Sequence, residues 1–432
     1  MKVMNALGFG ASIVIAIALL AFFPDWLLLA CLAALVLLII LTRVGRQTAL
    51  IVWVGMGTLP QRLGSAMVVV IGIAAVVGVL VGLLAMGDGF ERTLKQTGTD
   101  DTVLIVNTGA QSETGSALDG QTVAILSLMP QVLKNAQGRP LASPEQILGS
   151  PLTKKSTGLD ALVSLRGVGE HVWELWPNMA VTGRKFKPGL RELLVGKNVQ
   201  QSFRGVEVGS TLTLNNQPWT IVGTFDSGNA HNSKLWGDAQ VIGSVYRLDN
   251  YNSLTLRLTD ASAFQAFKAA VAGDPRLKVD VYTTRQFYNR RSERFSRLIG
   301  IVGATIGALM AIGATFGALN ATYTAVATRG REIATLRAIG FRRVPVLGSV
   351  VIETMLLATF GGAIGGAIAW IVFDGIVAST AGDSGQVMFA LDVSPELLYS
   401  CLKWALAIGF IGGLFPALYA AHRPIATSLR AA

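Results

Sequence analysis

The sequence predicts an α-helical membrane protein of six transmembrane helices, with a soluble α/β domain inserted between the third and the fourth. Three observations carry that prediction. Charged residues make up only 14% of the chain against 51% hydrophobic, where a soluble domain carries about 25% charged, and the mean hydropathy is +0.52. Apolar runs long enough to cross a bilayer recur along the chain, except in one long stretch, 88–296, that contains none. Finally, the basic residues gather on one side of the spans.

The first two spans are Asn5–Phe23 and Trp26–Thr42, parted by Phe23-Pro24-Asp25-Trp26, where Pro ends one helix and Asp caps the next. No small-residue cleavage site follows the first run, so it reads as a retained hairpin rather than a signal peptide. The stretch Arg46–Arg62 is apolar only from Ala49 to Met56, too short to span, and reads as an interfacial elbow helix anchored by Trp53. Span three is Leu63–Met86, closed by Gly87-Asp88-Gly89. Spans four, five and six are Leu298–Ala327, Val344–Phe373 and Leu402–Ala421.

With both termini inside, the short inner segments carry Lys2, Arg43, Arg46, Arg62, Arg329, Arg331, Arg337, Arg342, Arg343, Arg423 and Arg430 against the single acid Glu332. The short outer segments hold Asp25, Asp374, Asp383, Asp392 and Glu396 instead. This is the positive-inside distribution. It makes both ends cytoplasmic and places 88–296 on the far side. The domains are then 1–45 (hairpin), 46–87 (elbow and span three), 88–296 (outer α/β domain) and 297–432 (three spans with an inner loop, 329–343).

In the outer domain, Thr102–Asn107, Leu162–Val168 and Leu193–Val195 are strand-like, and Val123–Ala136 is helical by pattern. Gly209–Phe225 reads as a hairpin around Asn215-Asn216-Gln217-Pro218. Leu254–Leu258, Ala261–Ala272 and Lys278–Tyr282 read as a β-α-β unit, its helix capped by Thr259 or Asp260. Leu298–Ala327 would rise about 45 Å, beyond the roughly 30 Å of hydrocarbon, so part of it projects outward. The five arginines of Arg285–Arg297 either continue that helix as a stalk or bind anionic lipid.

No catalytic constellation is present. Gly189–Asn198 lacks the glycine spacing of a phosphate-binding loop. Cys31 and Cys401 lie in apolar runs, and the histidines at 171, 231 and 422 share no ligand spacing, so no metal site or cofactor is expected on this chain. The basic loop lacks the interleaved aromatics of a nucleic-acid surface. Its pattern is that of a short interfacial helix: Arg331 and Glu332 open it, Ile333, Leu336 and Ile339 recur every three residues, Arg337 closes it and Gly340 caps it. Such a helix suits docking of a cytoplasmic partner. Glu353, inside span five, either pairs with a loop arginine such as Arg337 or serves a motion-coupled role. Gly303/Gly307, Gly313/Gly317, Gly361/Gly365 and Gly362/Gly366 all satisfy GxxxG and favour close helix pairing, within the chain or across a dimer.

Arg329–Phe341 (RGREIATLRAIGF), Glu353, Phe360–Gly366 (FGGAIGG) and the closing Gly413–Arg430 resemble the C-terminal permease domain of the macrolide-exporter, lipoprotein-release and cell-division (MacB, LolCDE and FtsX-like) ABC permeases. Val163–Val168, Gly183–Phe186, Leu194–Lys197 and Val222–Phe225 resemble that family's periplasmic core domain. The resemblance covers roughly 46–432 and implies a bacterial inner-membrane homodimer with a cytoplasmic ATPase subunit. That subunit would hold ATP and Mg, and its closure would bend a stalk and move the outer domain. By that resemblance Arg331–Gly340 is the coupling helix, and no ATPase being fused to the chain, a separate subunit supplies it. An exporter working with a periplasmic adaptor and an outer-membrane channel is the implied function. A lipoprotein-releasing permease, or a transducer activating a cell-wall hydrolase, is the alternative. The hairpin 5–42 departs from the family's four-span pattern.

Overall fold

The computed structural model describes residues 40–382 and 385–422, together with Pro24, Ala33, Ala34 and Leu37. The predicted hairpin 5–42 lies almost wholly outside the described residues, as do Lys2, Arg423 and Arg430. The chain divides into two compact units, one of 1–87, 298–376 and 392–432, the other of 88–297 and 377–391.

The first unit is helical. Thr42 caps α1 (Arg43–Gly57), its hydroxyl accepting from the Gly45 amide at 2.9 Å, and a 3₁₀ turn (Leu59–Arg62) leads into α2 (Leu63–Lys95). Among the described residues four helices are long and apolar enough to cross a membrane, contained in Pro60–Lys95, Thr284–Thr328, Arg343–Phe373 and Pro395–His422. They correspond to the predicted spans three to six. Span three does not stop at Gly87-Asp88-Gly89 as predicted. The helix runs on to Lys95 because Phe90 and Leu94 beyond the glycines are buried, and that packing overrides the intrinsic cost of helical glycine, about 1 kcal/mol. Gly89 is there for a close approach: a Cβ on it would lie 2.1 Å from the Ala390 carbonyl oxygen.

The helices of this unit interlock through small residues. A Cβ on Gly361 or Gly365 of α10 (Arg343–Phe373) would meet the carbonyls of Val70 and Ala74 on α2 at 2.7 and 2.3 Å. One turn-face away, Gly362 and Gly366 admit Ala405 and Leu398 of α11 (Pro395–His422). Gly307 seats Leu80. Gly313 and Gly317 meet nothing within 4 Å, so the predicted glycine pairs are not equivalent.

The second unit carries one ten-stranded sheet in the order β10-β1-β9-β2-β3-β8-β5-β7-β4, with β6 on the outer side of β7. The strands are β1 (Thr102–Asn107), β2 (Ala142–Thr153), β3 (Asp160–Val168), β4 (Ala180–Gly183), β5 (Glu192–Gly196), β6 (Thr211–Leu214), β7 (Gln217–Asp226), β8 (Lys234–Asp238), β9 (Ser253–Arg257) and β10 (Val279–Thr283). Strand β2 joins two lobes: Ala142–Glu145 pair with β9, and Gln146–Thr153 pair with β3. The lobe of β1, β9 and β10 packs around Phe267, Leu256 and Val103, the other around Trp219, Phe203 and Leu165.

The predicted β-α-β unit is there, β9 and β10 flanking α7 (Ala263–Ala272), but β1 is inserted antiparallel between its strands. Asp260 does the capping, accepting from the amides of Ser262 and Ala263 at 2.7 and 3.1 Å. The β6–β7 hairpin turns through Asn215 and Asn216, both at positive φ, as a right-twisted two-residue turn requires. The helix expected over Val123–Ala136 is shorter. It spans Gly120–Ser127 (α3), because Pro130 cannot continue it and Val132 bridges to Leu258 instead. A hairpin absent from the sequence reading, β11 (Val377–Gly382) and β12 (Gly385–Ala390), belongs to this unit, where Met388 is bonded in both directions to the Ser233 hydroxyl at 2.9 and 3.1 Å. Four shorter helices complete the numbering: α4 (Val172–Leu175), α5 (Lys197–Ser202), α6 (Ala239–Tyr246) and α9 (Gly330–Ala338). The long α8 (Thr284–Thr328) holds 45 residues, about 68 Å of rise.

Candidate coupling site

The predicted inner-loop helix forms as α9, with Glu332 in its first turn and Arg337 in its last, matching the helix dipole. It ends as glycine permits. Gly340 takes φ +109°, a conformation closed to most side chains, while the amides of Gly340 and Phe341 bond back to Arg337 and Leu336 at 3.2 and 3.1 Å. The predicted ridge is split. Ile333 and Leu336 pack with buried Ala334 against a cluster containing Ile51, Val326, Val346 and Val350. Ile339 is 71% exposed. Arg331, Glu332 and Thr335 are exposed with it, so α9 has one face held by its own bundle and one face turned to solvent. Three-residue spacing explains this, since each step falls about 60° short of a full turn and Ile339 ends about 120° round from Ile333.

Glu353 does pair with an arginine of the inner loop, but with Arg329 rather than the example Arg337. Its Oε1 accepts from Arg62 Nη2 at 2.9 Å and its Oε2 from Arg329 Nη1 at 3.1 Å. Arg329 also reaches Glu332 through Nε at 3.0 Å, and Arg62 reaches the Gly55 carbonyl at 3.2 Å. A Cβ on Gly55 would sit 3.1 Å from both the Arg329 guanidinium and Glu353, so a side chain there would have to push the ion pair aside by a few tenths of an ångström. Two cations and two carboxylates thus tie the 3₁₀ turn, the α8–α9 junction, α9 and α10 together. The side chains of Arg62, Arg329 and Glu353 are 11–14% exposed, that of Glu332 51%. A cavity of about 40 Å³ adjoins them, lined also by Thr322, Val326, Ile333 and Thr354.

A second ionic centre, unforeseen from sequence, lies inside the second unit, called the outer unit after the predicted outer domain it contains. Arg166 of β3 pairs with Glu113 at 2.7 Å and with Glu145 of β2, and the Ser253 hydroxyl donates to Glu113 at 3.0 Å. Burial alone would raise the Glu113 carboxyl, but Arg166 and Lys234 hold it at about 2. Burial, with the Glu113 charge added, lifts Glu145 instead. Burial and then Arg166 depress Lys234 to about 7. Tyr288, from the first turns of α8, is pushed upward by burial and the Glu113 charge. The one sequence signal for this centre is a charge in the middle of an apolar strand, LVSLRGV.

Comparisons with known proteins match two domain models: a MacB-like periplasmic core domain over residues 66–273 and an FtsX-like permease C-terminal domain over 304–425. A macrolide export ATP-binding/permease protein MacB from Neisseria meningitidis serogroup A is 24% identical over 380 residues, covering 82% of this chain and 56% of the relative. The one from Vibrio parahaemolyticus is 22% identical over 376 residues, covering 82% and 55%. The chain therefore spans little more than half the length of these curated relatives. Among solved structures, the periplasmic region of MacB from Actinobacillus actinomycetemcomitans aligns with a TM-score of 0.33 at 14% identity, covering 46% of this chain and 92% of that one.

Proposed function

We propose a function from the premise that this chain belongs to the MacB/FtsX-like ABC transporter permease family, with a periplasmic-type domain and several membrane-spanning helices. It is the permease subunit of an exporter. ATP with Mg is bound and hydrolysed by an ATPase subunit that docks on α9, and the resulting motion passes through the helices to the outer unit to expel a substrate. The full topology is six spans with both termini cytoplasmic and the outer unit periplasmic in a bacterial inner membrane. Two copies work together, with an adaptor and an outer-membrane channel completing the route.

The observation that supports this reading is the two-faced α9. Its inward face packs into the bundle through Ile333 and Leu336, and its outward face offers Arg331, Thr335 and Ile339 to a partner. A helix placed this way can receive a push and pass it on through Arg329 to Glu353 on α10. It is also joined at Arg329 to α8, which is unbroken back to Phe287 and Tyr288, both buried in the outer unit.

The test is ATP hydrolysis by the partner with this chain in nanodiscs. Ile339→Asp and Arg331→Glu alter only the solvent face and should cut permease-stimulated hydrolysis at least tenfold with insertion unchanged. Leu336→Asp is a poorer probe, because Leu336 packs inward and its loss would loosen the bundle. Wild-type hydrolysis in both solvent-face variants would reduce α9 to a topological anchor.

A further inference from the structure

The outer unit has a cavity of about 150 Å³ that the transport reading does not use, lined by Asp101, Trp176, Asn178, Ser227, His231 and Arg257 among others. His231 forms part of its lining, is 2% exposed, and stands edge-on to Trp176 and Trp236 at 5.1 and 5.3 Å. Its Nδ1 lies 3.4 Å from Lys234 Nζ. Burial, then Lys234 and Arg166, hold this ring well below the usual histidine range and therefore neutral. Nε2 is buried and has no hydrogen-bond partner among the described residues. Packed among these rings, the nitrogen is closed off from the cavity too, so His231 contributes a neutral wall rather than a bonding group.

The rest of the lining says what kind of molecule fits the cavity. Arg257 Nε donates to Asp101 Oδ2 at 3.1 Å, with Nη2 3.0 Å from the same oxygen, and these side chains are about one-third exposed, forming the rim. An anion entering here meets Asp101 and a cation meets Arg257, so neither charge is favoured. A hydroxyl, which both donates and accepts, suits this pair and the Asn178 amide beside it. Trp176, half-buried, supplies an apolar wall for the C–H face of a ring. A cavity of about this size takes up one benzene in an engineered protein, so a single six-membered ring fits, with its substituents leaving at the rim.

We propose that this cavity binds one sugar ring of a neutral saccharide, the ring against Trp176 and its hydroxyls on Asp101, Arg257 and Asn178. The inference uses outer-unit residues alone and stands whether or not α9 docks an ATPase. The shared chemistry serves a free oligosaccharide or a glycan carried on a lipid.

The experiment is saturation-transfer NMR on the full chain in nanodiscs, titrated with methyl β-glucoside and N-acetylglucosamine, with acetate and ethylammonium as charged controls. Saturable binding of at least one sugar is expected, weakened at least tenfold by Trp176→Ala and by Asn178→Ala. Should Trp176→Ala fail to fold, the exposed Asn178→Ala decides alone. An alkyl glucoside placed in the nanodisc lipid forms a second arm: tighter binding than the free sugar assigns a lipid-borne glycan, equal binding a soluble one, and either supports the proposal. No saturable sugar binding, binding indifferent to the substitutions, or preference for acetate or ethylammonium would overturn it.

Discussion

Arg166 and Arg329 each stand between two glutamates, yet the two clusters are built for different purposes. In the outer unit, Arg166 and its partners Glu113 and Glu145 are at most 8% exposed, with Lys234 and Tyr288 closing the shell. In the helical unit, Arg329 links Glu353, which is largely buried, to Glu332, which is half in water. A dry cluster has no substitute for its partners, since a displaced charge is left in a medium that cannot solvate it. A cluster with one arm in water can exchange that arm for solvent at little cost. The first arrangement locks β2, β3 and β8 together. The second suits a latch, holding α9 to α10 firmly while leaving its outer contact free to change.

Substitutions can break or sharpen this contrast, and the largest effect belongs to the lock. Arg166→Met strands two buried carboxylates and should cost about 3–5 kcal/mol, read as lost protease resistance of the outer unit. A wild-type digestion pattern would show that the cluster is not what joins these strands.

Next comes pH. Lys234 is held at about 7 against an ordinary 10.5, so between those values the unfolded chain binds the extra proton and stability rises with pH. Glu113 acts in the opposite range: held at about 2 against 4.5, it contributes stability above about pH 4.5 that is lost as pH falls toward 2. The thermal midpoint of the outer-unit transition should therefore climb from pH 7 to 10, and Lys234→Met should flatten that climb. An identical slope in the variant would remove the lysine from the account.

For the latch, Glu353→Gln removes two charge-assisted bonds at a largely buried site, about 1.5–3 kcal/mol, visible as a lower midpoint of the helical unit. Glu332→Gln should shift the same midpoint by no more than about 0.5 kcal/mol, an effect that high salt erases. Equal costs at Glu332 and Glu353 would make the latch a second lock.

Spans three to six were legible because apolar length is a local property. Span five was expected from Val344 and begins at Arg343. The stalk was half legible, since the arginine run of 285–297 has no apolar period to declare a helix, and α8 nonetheless starts at Thr284. Pairings at long range were not legible. Arg62 and Glu353 are 291 positions apart, and nothing near Glu353 favours Arg62 over Arg337. Hairpin β11–β12 drew no strand reading, because the serine that fixes it, Ser233, is 155 positions away. Within α9 the residue types and the Gly340 cap were readable. Which side of the helix faces the bundle was not, because a three-residue repeat winds around a 3.6-residue helix rather than marking one face.

The claim on which the functional account stands is that an ATPase touches the solvent face of α9. A cysteine placed by Ile339→Cys, in a chain with Cys31 and Cys401 replaced, gives the direct measurement: cross-linking in native membranes, with the captured protein identified by mass spectrometry. The account predicts capture of an ABC-type ATPase, with a yield that changes when ATP is added. A chain that still transports while no nucleotide-binding protein is captured from this position would contradict it.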